Sequence, residues 1–262
     1  MPALFVGHGN PMNAILDTTY GRAWRAIGAR LPAPRAILAV SAHWYLPGTF
    51  VTAMARPRTI HDFGRFPPEL FAVEYPAPGD PALARRIRGL VGPEVGLDTG
   101  DWGLDHGTWS VLVHLFPEAN VPVVQLSIDD TLPPAAHLEL GRRLAPLRHE
   151  GVLVLGSGNV VHNLESYAWG ADDSAPADWA LRFEAEVRRA VVNGDDAALA
   201  HYERLGRDAL LAVPTPEHYL PLLYVLGARA PGDVVGFPVE GIEGGSISML
   251  AVELHSGPDE NV

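Results

Sequence analysis

Three short apolar runs in this sequence each lead to a histidine within a few residues. Ala3-Leu4-Phe5-Val6 runs into Gly7-His8-Gly9-Asn10-Pro11, and Ala36-Ile37-Leu38-Ala39-Val40 runs into Ser41-Ala42-His43-Trp44. Val152-Leu153-Val154-Leu155 is followed by Gly156-Ser157-Gly158-Asn159-Val160-Val161-His162-Asn163. A neutral imidazole ligates divalent metals, and its ordinary pKa lets it carry protons near neutral pH. Any one such histidine is more often structural; it is the repetition that points to a metal site. A fourth candidate, His218, lies in Val213-Pro214-Thr215-Pro216-Glu217-His218-Tyr219-Leu220-Pro221. Pro221 suits the first turn of a helix, which puts His218 at or just before its start. The positive end of the helix dipole keeps an imidazole there neutral and able to coordinate. The bland alternative is a proline-shaped turn with a surface histidine.

His106, in Asp105-His106-Gly107-Thr108-Trp109, and His61, in Ile60-His61-Asp62-Phe63, divide evenly between substrate contact and structural hydrogen bonding. His114, His137, His149, His201 and His255 lack such context and are expected at the surface. Cysteine is absent, which excludes disulfides and thiolates and leaves imidazole and carboxylate as metal ligands.

Short, turn-bounded apolar runs are the pattern of strands buried on both faces. In an open α/β sheet, ligands bind beyond the carboxyl ends of such strands, where these histidines stand. Helical spacing marks Tyr20 to Leu31, stopped by Pro32 and Pro34, and Asp80-Pro81 starts a second helix lined by Leu83, Ile87 and Leu90. Further helices are expected at 107–116, 134–148, 177–192 and 221–226, and further strands at 50–54, 95–97, 121–128, 234–239 and 246–254. Residues 56–79 show no period. They read as a long excursion over the sheet edge, ordered by aromatics that include Phe63, Phe66, Phe71 and Tyr75. The alternation predicts a single α/β domain over 1–254 with a central mixed, mostly parallel sheet flanked by helices, and a frayed tail over 255–262.

The chain has 262 residues, 47% of them hydrophobic, which suits one large core. A net charge of −12 argues against nucleic acid or an anionic membrane surface as a partner. No apolar run approaches the roughly 20 residues needed to span a bilayer, and no signal peptide is visible, so the expected location is the cytoplasm.

Many motifs, in order, carry a family resemblance: GHGNP at 7–11, SAHW at 41–44, IHDFG at 60–64, YPAPG at 75–79, DHGTW at 105–109, GSGNVVHNL at 156–164, PTPEHYLPLLYVLGA at 214–228 and VEGIEGGSISML at 239–250. The sequence resembles the class III extradiol ring-cleavage dioxygenases from residue 1 to about 254. Within them it is similar to the bacterial 4,5-DOPA dioxygenase extradiol-like group, related to the protocatechuate 4,5-dioxygenase catalytic subunit. The resemblance implies that His8, His43 and His218 hold one divalent metal. It makes His162 an acid/base histidine beside the metal or a ligand itself. Asn10 stands where this group carries Ser, and the wider family's glutamate ligand leaves a part for Glu217 open.

The implied substrates are a small catechol and O₂, with Fe(II) as the working ion and Zn(II) able to occupy the isolated protein. His106 joins His162 as a catalytic candidate, and His61, His106 and Phe63 are candidate substrate contacts. Two other readings use the same residues. A zinc hydrolase would activate water there, with His162 or Glu217 as base. A non-catalytic Memo-like binding protein would carry an incomplete ligand set.

Overall fold

The apolar runs that precede the candidate histidines form the centre of an eight-stranded sheet. In the computed structural model, which describes residues 1–170 and 174–257, the strands are β1 (Ala3–Gly7), β2 (Ala36–Leu46), β3 (Phe50–Thr52), β4 (Gly96–Asp98), β5 (Val123–Asp129), β6 (Val152–Gly158), β7 (Asp233–Val239) and β10 (Ala251–Ser256). Two more, β8 (Ile242–Glu243) and β9 (Ile247–Ser248), pair with each other. The large sheet has the order β4-β3-β5-β2-β6-β1-β10-β7. Its middle strands β5, β2, β6 and β1 are mutually parallel, while β3 meets β5 and β10 meets β1 in antiparallel fashion. The single α/β domain with a mixed, mostly parallel sheet is therefore present as expected.

Both faces of the sheet are covered, which explains why its central strands read as unbroken apolar runs. Ala3, Phe5, Leu38, Val40 and Val154 pack on one side with the helices Pro81–Val91, Pro134–Leu144, Asp178–Asn193 and Leu220–Gly227. Leu4, Val6, Ile37, Ala39, Leu153 and Leu155 pack on the other with the helices Thr19–Arg30 and His106–Leu115. Each fully buried Leu, Val or Ile contributes about 1.5–3 kcal/mol relative to exposure. Asp80 caps the helix Pro81–Val91 through the backbone N–H groups of Ala82 and Leu83, as its sequence position promised.

Several boundaries differ from the sequence reading, each for a physical reason. β2 does not stop at Val40 but continues to Leu46, with a register shift against β5 between Val40 and Tyr45. Such irregularities re-aim side chains beside functional sites, and this one contains His43. The stretch 134–148 is two helices, because Pro146 has no N–H to donate to the helical ladder. The run 246–254 divides between β9 and β10. β10 extends to Ser256, so His255 and Ser256 pair with β7 instead of fraying; residues 258–262 of the expected tail lie outside the described residues.

Two histidines assigned to the surface are interior. His114 lies on the inner side of its helix with Nε2 2.7 Å from the Asn13 carbonyl, and His137 is fully buried with Nδ1 3.0 Å from Tyr224 Oη. The excursion is ordered by the contacts its composition implied: Trp109 Nε1 donates to the Ile60 carbonyl, and Tyr75 Oη donates to that of Phe116. Among the described residues, no helix is long and apolar enough to cross a membrane.

Candidate metal centre and substrate pocket

His8 follows β1 directly, His43 projects from the irregular part of β2, and His162 stands a few residues beyond β6. His218 stands two residues before the helix that begins at Leu220, and its carbonyl accepts the Asn159 backbone N–H. That close approach needs a glycine: a Cβ on Gly158 would lie 2.1 Å from the His218 carbonyl oxygen. The carboxyl edge of three parallel strands and one helix start thus deliver four imidazoles to one place. The Nε2 atoms of His8 and His43 are 3.2 Å apart. Ligand atoms of His8, His43 and His218 lie mutually within 4.8 Å, as do those of His162, Glu217 and His218. The rings of His162 and His218 stack with centroids 3.5 Å apart.

The hydrogen bonds behind His8 fix its tautomer. Ser157 Oγ donates its one proton to the Gly107 carbonyl at 2.5 Å, so it can only accept from His8 Nδ1, 3.0 Å away. His8 therefore keeps its proton on Nδ1 and turns the Nε2 lone pair toward His43. Glu217 Oε1 accepts from Thr215 Oγ1 and lies 3.2 Å from His218 Nδ1, which orients that ring in the same manner. Asp62 accepts the His106 backbone N–H with Oδ1, and its Oδ2 lies 2.9 Å from His106 Nδ1 and 3.6 Å from His43 Nδ1. Burial pushes the Asp62 carboxyl up, but the contacts with His106 and His43 outweigh it and hold it below its usual value.

All four rings are neutral at pH 7. Burial first, then the neighbouring imidazoles, push His8 and His218 well below their ordinary pKa. Burial and His106 bring His43 down to about 3. Burial brings His162 down to about 4 against the pull of Glu217. Neutral, buried imidazoles, with Ser157, Asp62 and Glu217 beside the Nδ1 atoms of His8, His43 and His218, fit a divalent metal, which binds deprotonated ligands.

The same shifts set a pH dependence. With the histidines, His137 included, depressed in the folded state, the unfolded chain binds more protons between about pH 4 and pH 6.5. Stability of metal-free protein is then fully present above pH 6.5 and falls as pH drops, each histidine contributing up to about 1.4 kcal/mol per pH unit. The urea midpoint of metal-free protein should decrease steadily from pH 7 to pH 5. A flat profile across that window would contradict the buried, neutral assignment.

The histidines form the floor of a cavity of about 250 Å³ whose walls include His106, Phe63, Phe66, Tyr167, Trp169 and Ile247. Of the sequence candidates, His8, His43, His106, His162, His218 and Phe63 meet here. His61 does not line the cavity; its Nε2 lies 2.9 Å from the Val73 carbonyl and its ring packs beside Phe63, Phe71 and Trp109. The side chains of Asn159 and Asn163, which flank His162, are engaged with the backbone. Their amides donate to the Ser248 and Leu211 carbonyls and hold the loop in place. Sequence reasoning missed Asp62 and Ser157, although both stood inside quoted motifs. In an irregular segment nothing in the sequence says which neighbour, His61 or Asp62, turns inward.

A family model described as the catalytic LigB subunit of aromatic ring-opening dioxygenase matches residues 5–231 of this chain. The chain is 52% identical over 259 residues to the 4,5-DOPA dioxygenase extradiol of Escherichia coli K12, covering 97% of this chain and 94% of that protein. It is 39% identical over 233 residues to the protein of the same name from Beta vulgaris, covering 86% and 85%. A crystal structure of an uncharacterized Escherichia coli K12 protein superposes with a TM-score of 0.85 at 48% identity, covering 97% of this chain and all of that one.

Proposed function

This chain belongs to the family of catalytic LigB subunits of aromatic ring-opening dioxygenases, and on that premise we propose that it opens a DOPA-like catechol at a ferrous centre held by His8, His43 and His218. The observation that carries this reading is the meeting of neutral, pre-oriented imidazoles at the floor of an aromatic-walled cavity. The complete ligand set weighs against a non-catalytic binding role, and family membership weighs against a zinc hydrolase.

Extradiol opening breaks the ring bond beside the two hydroxyls, and both atoms of one O₂ enter the product. When bound, Fe(II) supplies adjacent positions for catecholate and O₂ and the electron path between them, which a redox-inert ion cannot. The protein does the rest. His8 offers Nε2 because Ser157 holds its Nδ1 proton. His218 is turned by Glu217, which serves as an orienting partner for that ring. His162, unprotonated at neutral pH, takes a catechol proton and later returns it. Phe63, Phe66 and Ile247 form an apolar wall that suits an aromatic ring and limits water. Asp62 holds His106 and His43 in register by contacting both.

Replacement Asp62→Asn should retain the fold and lower metal affinity or turnover roughly 10–100-fold, the usual cost of losing such a partner. Metal titration and steady-state rates on the same preparation check this, and values equal to the parent would remove Asp62 from the site. The reading as a whole is tested by oxygen uptake of Fe(II)-loaded protein with DOPA against tyrosine, which lacks the second hydroxyl. Uptake with DOPA alone is expected, and equal uptake or none with both would overturn it.

A further inference from the structure

The strand pair β8–β9 brings one carboxylate, Glu243, into the cavity wall. It lies close to the metal-binding end: a Cβ on Gly9, the residue after His8, would sit 2.9 Å from Glu243 Oε2, and Gly9 has φ +56°. On its other side Tyr167 packs its ring against Gly244. Tyr167 in turn meets Trp169, with ring centroids 4.7 Å apart, and Trp169 is 71% exposed at the cavity mouth. A carboxylate flanked by electron-rich rings is the chemistry that receives an ammonium group, by a charge-assisted hydrogen bond and by cation–π attraction.

Among the described residues, none that lines the cavity is an arginine, and the sequence contains no lysine at all. The net charge of −12 adds a field that favours cations at the mouth. A carboxylate on the substrate side chain would therefore meet the Glu243 carboxylate in a cavity whose described lining offers no arginine.

We infer that Glu243 selects catechols whose side chain carries an ammonium group and selects against those that carry only a carboxylate, an inference that rests on the ring-opening reading of the same cavity. The preferred class is the aminoethyl catechols. A catecholic amino acid, with both charges, falls between, and an acid of the same length comes last.

A matched series tests this: dopamine, DOPA and 3,4-dihydroxyphenylpropionate share the ring and the two-carbon spacer and differ in side-chain charge. Specificity constants come from oxygen uptake by Fe(II)-loaded protein, and equilibrium affinities from binding to zinc-loaded protein. The expected order in both is dopamine, DOPA, then the acid, with about a tenfold or larger span between the ends, equivalent to 1.4 kcal/mol. Glu243→Gln should shrink the span to within about threefold, chiefly by raising KM for dopamine and lowering it for the acid. Equal constants across the series, a preference for the acid, or an unchanged span in E243Q would overturn the inference. The wild-type order alone tests the charge preference, and Glu243→Ala takes the place of E243Q in assigning it to Glu243 if that variant fails to fold. Absence of oxygen uptake with all three compounds would instead sink the ring-opening reading, while the binding order would still report on charge selection.

Discussion

His43→Ala should yield a folded protein that retains little metal and has lost ring-opening activity with it. The ring stands in the irregular part of β2 and meets the rings of His8, His106 and His218 at the sheet edge. Its removal therefore deletes a ligand while sparing the core. The loss should exceed the roughly 100-fold that removal of an outer partner costs. His8→Ala should behave alike, with one addition: it leaves Ser157 Oγ without its His8 partner beneath the site. Metal content by elemental analysis, circular dichroism and oxygen uptake on one preparation check the three parts of this outcome. Full metal occupancy in both variants would remove these residues from the ligand set.

The second large effect falls on His162. Its ring stacks on that of His218 and shares a ligand-distance cluster with Glu217, so geometry allows it to serve as a base beside the metal or as a ligand. The proposed role as base gives separable consequences. His162→Ala should keep the metal and still bind catechol, while turnover falls roughly 10²–10⁴-fold, the range for losing a general acid–base group. If metal affinity falls in parallel with activity, His162 is a ligand instead. Unchanged metal content and unchanged turnover together would place it outside the chemistry.

How much of this was legible in the sequence depended on whether the cause was local. β1, β6 and the first half of β2 were readable because both faces of the sheet are covered, so every position had to be apolar. The helix at Pro81 was readable because its cap and first-turn proline are adjacent in sequence. His8, His162 and His218 stood out because glycine or proline lies close to them at strand ends and at a helix start, and His43 because an apolar run leads to it. His137 was misjudged because its partner, Tyr224, is 87 residues away on another helix. His114 failed likewise, since its partners Asn13 and Arg25 come from distant segments.

The excursion 56–79 was the hardest case. Its aromatics correctly signalled order, yet without a period nothing indicated that Asp62 would face the histidines and that His61 would hydrogen-bond to the backbone of its own loop. Glu243 was hidden for a different reason. It belongs to a two-residue strand placed by pairing with β9, and it meets Gly9 from the opposite end of the chain.

The most direct test of the central claim is the stoichiometry of a single turnover experiment. Anaerobic Fe(II)-loaded protein is mixed with DOPA, and a measured amount of O₂ is then admitted. No change is expected before oxygen, then a yellow ring-opened semialdehyde with one O₂ consumed per catechol and no hydrogen peroxide released. Zinc-loaded protein should give neither colour nor uptake. Product formation before oxygen is admitted, or at an equal rate with zinc, would contradict the account and return the site to hydrolytic chemistry.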